Sequence, residues 1–180
     1  NRDENGNVLA SVSFITLDPG GEETIMVDLR EIPQSSLPGG KISLTGELLS
    51  YTGEKINLNS LSGKGYVFIW IEPGREPTRH ILNDLPRLKK EFDAWGGQFI
   101  FLTDPARTPE GFAPDEISGT PGNALFATDT GLGFMTAALG MGSSEKPLPV
   151  VVCCDADGDI LFSSEGYRIG TGEQILKKIR

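Results

Sequence analysis

The sequence has 180 residues and a formal net charge of -9, with 38% hydrophobic and 23% charged residues. This composition is typical of a soluble globular protein, and the length allows one domain that carries a small extra subdomain. The acidic balance repels phosphate backbones and anionic lipid surfaces, so we expect no nucleic-acid partner. The longest apolar runs, Tyr66 to Ile71 and Leu148 to Cys154, are far shorter than the roughly 20 residues that a membrane-spanning helix needs.

The start of the chain is predicted to be a β-hairpin followed by a linker. Leu9–Leu17 and Glu23–Leu29 are rich in Val, Ile, Phe and Thr, and an Asp-Pro-Gly-Gly turn separates them. The stretch Ile32–Gly40 has the composition of a linker. We therefore divide the chain into a hairpin extension with its linker, residues 1–40, and a main domain, residues 41–180. Because the chain starts without Met or an apolar signal region, we expect a processed chain or part of a longer protein.

The main domain opens with a predicted pair of short strands, about Lys41–Leu49 and Lys55–Leu58. Gly65–Ile71 is a continuous apolar run, which is typical of a strand buried on both faces of a parallel or mixed sheet. From Pro77 to Trp95 the apolar residues follow helical spacing, and Pro86 is expected to kink this helix.

The rest of the chain continues the alternation of strands and helices. Two glycines end the kinked helix, and a further buried strand follows it, so the three elements form a βαβ unit. The remaining predicted segments are a strand at Gln98–Leu102, a Pro/Gly-rich loop at 105–122, a helix at about Leu132–Leu139, strands at Pro149–Cys154 and Ile160–Ser163, and a final helix at Gly172–Ile179. The fold class is therefore α/β.

Particular residues resemble thioredoxin-like proteins of the TlpA and AhpC type. Ser60–Lys64 looks like the L-x-G-K turn that precedes their first core strand, and Asp155–Ile160 looks like the Asp and tight glycine turn after their Pro-led strand. The resemblance covers roughly Lys41 to Arg180 and implies a thioredoxin-like mixed sheet flanked by helices. It also implies that the Leu148–Pro149 peptide bond is a candidate cis bond.

The chain departs from this family at the reactive positions. Redox-active members carry a WCxxC motif where the first core strand meets the helix, since the helix N-terminus stabilises a thiolate. In this chain either Arg75 and Thr78, or Thr78 and Ile81, align with the two cysteines, so the dithiol function is lost. The resemblance thus leaves a candidate groove without sulfur, formed by Arg75, Glu76, Pro77, Thr78, His80, Leu148 and Pro149.

A closer resemblance is to the C-terminal thioredoxin-like region of exported transglutaminase-like proteins of Bacteroidetes. Their E-P-[ST]-x-H and G-Y-x-I-G-x-G-E-Q segments match Glu76–His80 and Gly166–Gln174. This resemblance implies a periplasmic or secreted fragment whose papain-like catalytic domain lies upstream. The implied partner is that upstream domain or an extended peptide.

Glu76, His80 and Asp84 have the spacing i, i+4, i+8, which places them along one face of a helix. They could form an acid/base or metal pair, but a metal site usually needs three or four ligands and the chain has a single histidine. We favour a structural interpretation, in which Glu76 stabilises the positive helix end and His80 bonds to Asp84 or to a nearby carbonyl. No cofactor or metal is expected.

The two cysteines of the chain, Cys153 and Cys154, are adjacent in a predicted strand. Neighbouring side chains on a strand point to opposite faces, so one thiol is expected in the core and the other exposed or under a helix. We expect free structural thiols and favour a non-catalytic accessory or binding domain. The alternative is a variant thiol oxidoreductase or peroxidase that uses Cys153 or Cys154, which requires an accessible sulfur with a lowered pKa.

Overall fold

The computed structural model describes residues 40–114, 117, 119–139 and 147–179. All of them belong to one compact unit, Ser35–Arg180. The hairpin and linker predicted for residues 1–40 lie outside the described residues, apart from Gly40, which is the first of them.

A seven-stranded mixed sheet forms the centre of the main domain. Its strands are β1 Glu47–Ser50, β2 Lys55–Asn57, β3 Gly65–Ile71, β4 Gln98–Thr103, β5 Leu125–Thr128, β6 Val150–Asp155 and β7 Ile160–Glu165. The spatial order is β2-β1-β5-β4-β3-β6-β7. The three central strands β5, β4 and β3 are parallel, and all other neighbours are antiparallel. This architecture confirms the predicted α/β class and the mixed sheet.

Helices cover both faces of the sheet. They are α1 Glu76–Asp84, α2 Lys89–Trp95, α3 Gly133–Leu139 and α4 Thr171–Ile179. All seven residues of β3 are buried because its side chains alternate between two cores. Tyr66, Phe68 and Trp70 join the core that includes Met135 of α3, whereas the intervening residues join the core that includes Phe92 of α2.

The predicted kink at Pro86 is confirmed. A 3-10 turn, Leu85–Leu88, separates α1 from α2, because proline has no backbone N–H for the helical hydrogen bond. Gly96 then ends α2 in the left-handed conformation, with φ of 78°. At Gly97 an added Cβ would overlap the indole ring of Trp95, so only glycine lets the ring lie over the backbone at this position.

One strand of the sheet was not predicted from the sequence. β5, Leu125–Thr128, pairs with β4 on one side and with β1 on the other, so it joins the β1–β2 hairpin to the central strands. The predicted hairpin itself is confirmed with shorter strands than expected. Short 3-10 turns occupy Leu58–Ser60, Pro105–Arg107 and Thr130–Leu132.

The predicted turn between β6 and β7 is confirmed at Asp155–Asp159. Asp155 Oδ1 accepts hydrogen bonds from the backbone N–H groups of Asp157 and Asp159, both at 2.9 Å. Gly158 adopts φ of 89°, which the turn requires and which glycine permits. The acidic side chains therefore organise a hairpin turn. In the part of the chain that the structure describes, no helix has the length and apolar character needed to cross a membrane.

Candidate functional site

The candidate groove lies at the edge of the sheet where the central strands end. Because β3, β4 and β5 are parallel, the loops that follow Ile71, Thr103 and Thr128 leave the same edge. β6 is antiparallel to β3, so the chain enters β6 at this edge, and β7 ends there. Binding sites of α/β sheets form at this carboxyl edge.

Arg75 is the N-cap residue of α1, and Pro77 lies in the first turn, where its missing N–H leaves no intrahelical bond unmade. Thr78 is 1% exposed, and its Oγ1 accepts a hydrogen bond of 3.1 Å from the backbone N–H of Glu72. Arg75 Nε donates to Glu72 Oε1 at 2.9 Å. The start of α1 and the preceding loop are thus held together by polar contacts, in the region that the sequence resemblance aligns with the WCxxC motif.

The position of the helix start bears on the two alignments with the cysteine motif. Arg75 and Thr78 stand at the N-cap and in the first turn, one exposed and the other buried. Ile81 lies further along α1, is fully buried and belongs to the apolar core. The attacking thiolate of such a motif must be accessible as well as close to a helix N-terminus, and position 75 meets both conditions whereas position 78 is buried, so the geometry favours the alignment of the cysteines with Arg75 and Thr78.

The Leu148–Pro149 peptide bond is cis, as predicted. Val150 pairs with Trp70 near the end of β3, which places Leu148 and Pro149 at the same edge of the sheet as the start of α1. The carbonyl of Pro147 accepts a hydrogen bond of 2.9 Å from the N–H of Gly166, just after β7. Both segments of the candidate groove therefore lie at the carboxyl edge.

The structure corrects the expected partner of His80. His80 Nε2 lies 3.4 Å from Glu76 Oε1, and its ring stacks on Tyr167 with a centroid distance of 5.1 Å. The Asp84 carboxylate is only 7% exposed and accepts instead from Tyr167 Oη at 2.6 Å and from Arg87. Glu76 and His80 are thus paired with each other, and Tyr167 connects His80 to Asp84. No group of three or more possible metal ligands occurs among the described residues.

Tyr167 was not identified as a site residue from the sequence, although it connects the loop before α4 to α1. The hydrogen bond to Asp84 raises the pKa of Tyr167, and burial adds to this shift. The signal available in the sequence was its place in the Gly-Tyr-x-Ile-Gly segment, but its partner is 83 residues away.

Both thiols are completely buried and free. Cys153 belongs to the core on the side of α1, α2 and α4, and Cys154 belongs to the core on the side of α3. The prediction that they face opposite sides of the sheet is confirmed. Burial raises the pKa of each thiol to about 12, with a smaller contribution from Asp155 at Cys153 and from Cys153 at Cys154.

A buried carboxylate beside the groove edge was also not predicted. Asp129 is 5% exposed, and its oxygens accept from Trp70 Nε1 at 2.8 Å and from the backbone N–H groups of Phe134 and Met135 at 2.8 and 2.9 Å. It joins the end of β3 to the start of α3. A buried tryptophan usually requires an acceptor for its indole N–H, which was the one indication in the sequence.

Comparisons with known proteins identify the fold. No protein-family model matches the sequence, and no curated protein matches it significantly. A Chlorobium tepidum protein described as the thiol:disulfide interchange protein DsbE superposes with a TM-score of 0.59 and 21% identity, over 81% of this chain and 100% of that chain. The chain has a thioredoxin-like fold.

Two further solved structures show the same likeness. The thioredoxin domain of a thiol-disulfide oxidoreductase from Bacteroides vulgatus has a TM-score of 0.57 and 16% identity, over 80% of this chain and 96% of that domain. Peroxiredoxin Q from Xanthomonas campestris has a TM-score of 0.55 and 12% identity, over 76% of this chain and 90% of that chain. At these identities the comparison shows the fold alone.

Proposed function

We propose that this chain is a non-catalytic, thioredoxin-like accessory domain of a larger exported protein, and that its candidate groove binds an extended peptide or the upstream domain. The observation that carries this proposal is the pair Arg75 and Thr78 at the start of α1, where a dithiol would need its two sulfurs. Export and the upstream catalytic domain rest on the resemblance to the transglutaminase-like proteins.

The acid–base properties of the two thiols support the loss of dithiol chemistry. The thiolate is the nucleophile in disulfide exchange, and a pKa of about 12 leaves about one thiol in a hundred thousand ionised at pH 7. Because Cys153 and Cys154 face opposite sides of the sheet, one cannot resolve a mixed disulfide on the other without a change in the backbone.

The composition of the groove supports a binding role. Four of its residues are exposed: Arg75, Glu76, Pro77 and His80. The loop before α1 is held in place by the hydrogen bond from Glu72 N–H to Thr78 and by the Arg75–Glu72 ion pair. In redox-active relatives the corresponding segments hold an extended peptide beside the cis proline. An extended peptide can bind there through its main chain without any sulfur.

We expect the native thiols to react with a thiol-labelling reagent only when the protein unfolds. Labelling of the folded chain at pH 7.5 should be slower by several orders of magnitude than labelling in denaturant, because both sulfurs are buried and protonated. An insulin-reduction assay with dithiothreitol should give only the uncatalysed rate.

The pH dependence of labelling provides an internal control. The pKa of each thiol is raised in the folded state, so the protonated form is retained at pH values where an ordinary thiol ionises. The reagent reaches each sulfur only after the fold opens, so at every pH from 7 to 10 the folded chain should be labelled several orders of magnitude more slowly than the chain in denaturant. Rapid labelling of the folded chain at neutral pH, or catalysed insulin reduction, would contradict the proposal.

Those contrary results would instead support the second candidate, a variant thiol oxidoreductase or peroxidase that uses Cys153 or Cys154. Thiol-disulfide oxidoreductases and a peroxiredoxin are among the solved structures with this fold, which is the observation in its favour. The same labelling experiment therefore separates the two functions.

The binding role is tested by selecting peptides from a displayed library on the full chain. The best synthetic peptide should shift the amide NMR signals of the segments 72–78 and 147–150. The variant Arg75→Glu should weaken the binding of this peptide by about tenfold, since it reverses the charge of the exposed residue at the N-cap position of α1, which pairs with Glu72. The matched control is Lys55→Glu, another exposed, paired cation, which lies on the edge strand β2. Shifts confined to other surfaces, or equal affinity of Arg75→Glu and the parent, would refute the role of the groove.

A further inference from the structure

A surface hollow lies between α2 and α4, at the edge of the sheet opposite to the candidate groove. Its volume is about 440 Å³. Lys64, which lines it, directly precedes the first residue of β3, whereas the candidate groove lies where β3 ends. The other lining residues come from the two helices: Glu91, Ala94, Trp95, Leu176 and Ile179. Four of the six lining residues are therefore apolar, and the remaining two carry opposite charges.

The apolar core of the domain reaches the surface in this hollow. Leu176 is buried and belongs to the core on the side of α1, α2 and α4. Trp95 and Ile179 pack against that core but remain only partly buried, and Ala94 is exposed. Tryptophan is enriched in protein interfaces and often dominates their binding energy. The hollow is therefore better suited to a protein surface than to a polar small molecule.

The two charged residues of the hollow lack ionic partners. Glu91 is half-buried and Lys64 is exposed. Within the described part of the chain, neither forms an ion pair or a side-chain hydrogen bond, either with the other or with a third residue. Elsewhere on α2, by contrast, Lys89 and Asp93 are paired at 2.8 Å. A half-buried carboxylate is partly removed from water, so a cation supplied by another molecule would be attracted to it more strongly than at full exposure.

We propose that this hollow is the contact surface of a symmetric dimer of the chain, in which Lys64 of each copy pairs with Glu91 of the other. A two-fold interface brings the same surface of both copies together, so that surface must carry both members of each complementary pair. Lys64 and Glu91 meet this condition. A different partner with one sign of charge would leave one of the two residues opposite a like charge.

The distribution of charge also favours association through this face. A chain with a net charge of -9 repels a second copy of itself wherever two acidic surfaces meet. Next to Glu91, the exposed Lys90 also forms no ion pair among the described residues. The surroundings of the hollow therefore lack the acidic excess of the chain as a whole. The dimer contact is independent of the candidate groove, which stays accessible at the other edge of the sheet.

The test is sedimentation of the full chain over a range of concentrations, from about 20 µM to about 1 mM. The average mass should rise with concentration towards that of a dimer. In NMR spectra over the same range, the indole N–H signal of Trp95 should shift, while that of the fully buried Trp70 should stay in place. A chain that remains monomeric throughout, or a dimer whose formation leaves the Trp95 signal unchanged, overturns the proposal.

Charge reversal tests the pairing itself. Lys64→Glu and Glu91→Lys should each raise the dissociation constant of the dimer by about tenfold or more, because each places like charges together at two symmetry-related positions. The double variant Lys64→Glu/Glu91→Lys restores opposite charges and keeps the net charge of the parent, so it should dimerise within about threefold of the parent.

Lys55→Glu is the matched control, since it changes the net charge as Lys64→Glu does but lies on the edge strand β2. It should raise the dissociation constant by less than about threefold. Far-UV circular dichroism checks that each variant is folded. The proposal is overturned if either single reversal at the hollow dimerises as the parent does, if Lys55→Glu weakens the dimer as much as Lys64→Glu, or if the double variant is as weak as the single ones.

Discussion

The double variant Arg75→Cys/Thr78→Cys is expected to gain thiol-disulfide exchange activity that the parent lacks. The thiol introduced at position 75 would take the N-cap of α1, where the helix N-terminus lowers a thiol pKa, and the thiol at position 78 would lie in the first turn, at a buried position. The first sulfur would attack a substrate disulfide, and the second would release the product by closing a disulfide between the two positions. Dithiothreitol would then reduce that bond, so turnover should appear in the insulin-reduction assay at no less than about ten times the uncatalysed rate.

A variant with the same spacing displaced by one residue provides the control for this prediction. Glu76→Cys/Arg79→Cys also introduces two thiols three residues apart on α1, but both positions are exposed and neither is the N-cap. This control should remain at least several-fold less active than the first variant. If the two variants have equal activity, or both are inactive while properly folded, the alignment of the cysteine motif with Arg75 and Thr78 is wrong.

The elements that the sequence predicts well are those whose signals are local. The strand Gly65–Ile71 has the predicted bounds because a run of seven consecutive residues suited to burial has the length of a buried strand and is too short for a typical buried helix. The break between α1 and α2 follows from the missing N–H of Pro86 alone. The first turn of α1 was likewise recognisable, because Pro77 at its start is a local signal.

β5 could not be predicted in the same way, because its stability comes from distant partners. Leu125–Thr128 has four residues, of which only Ala127 is buried, and it follows a Pro/Gly-rich loop. It forms a strand because Ile100–Thr103 and Leu49–Ser50 offer it backbone partners on both sides. The propensity of so short a segment is weaker than this tertiary context.

The contacts within the candidate site show the same limit. The sequence indicated that Glu76, His80 and Asp84 share a helix face. It could not indicate that Tyr167, 83 residues from Asp84, donates a hydrogen bond to the Asp84 carboxylate. Helical spacing shows which residues can meet on one helix. It does not show which of them a residue from a neighbouring loop will contact. The predicted partner of His80 was wrong for this reason.

The largest loss of stability is expected for Asp129→Ala. Its carboxylate accepts three buried hydrogen bonds, from the Trp70 indole and from the first residues of α3, and the pair Trp70–Asp129 is 59 residues apart. Alanine would leave these three donors without an acceptor in a buried environment, so the free energy of unfolding should fall by about 3–5 kcal/mol. This loss corresponds to a decrease in Tm of about 10 °C for a chain of this size.

Urea unfolding followed by far-UV circular dichroism measures this loss, and the indole N–H signals of the two tryptophans report its origin. In Asp129→Ala the Trp70 signal should move strongly, while the Trp95 signal should stay in place because its ring packs elsewhere, against Gly97 and Phe99. Glu54→Ala, which removes an exposed carboxylate between β1 and β2, should change the free energy of unfolding by less than about 0.5 kcal/mol. A loss below about 1 kcal/mol for Asp129→Ala would mean that water replaces the carboxylate, and that the connection between the end of β3 and the start of α3 depends on apolar packing rather than on Asp129.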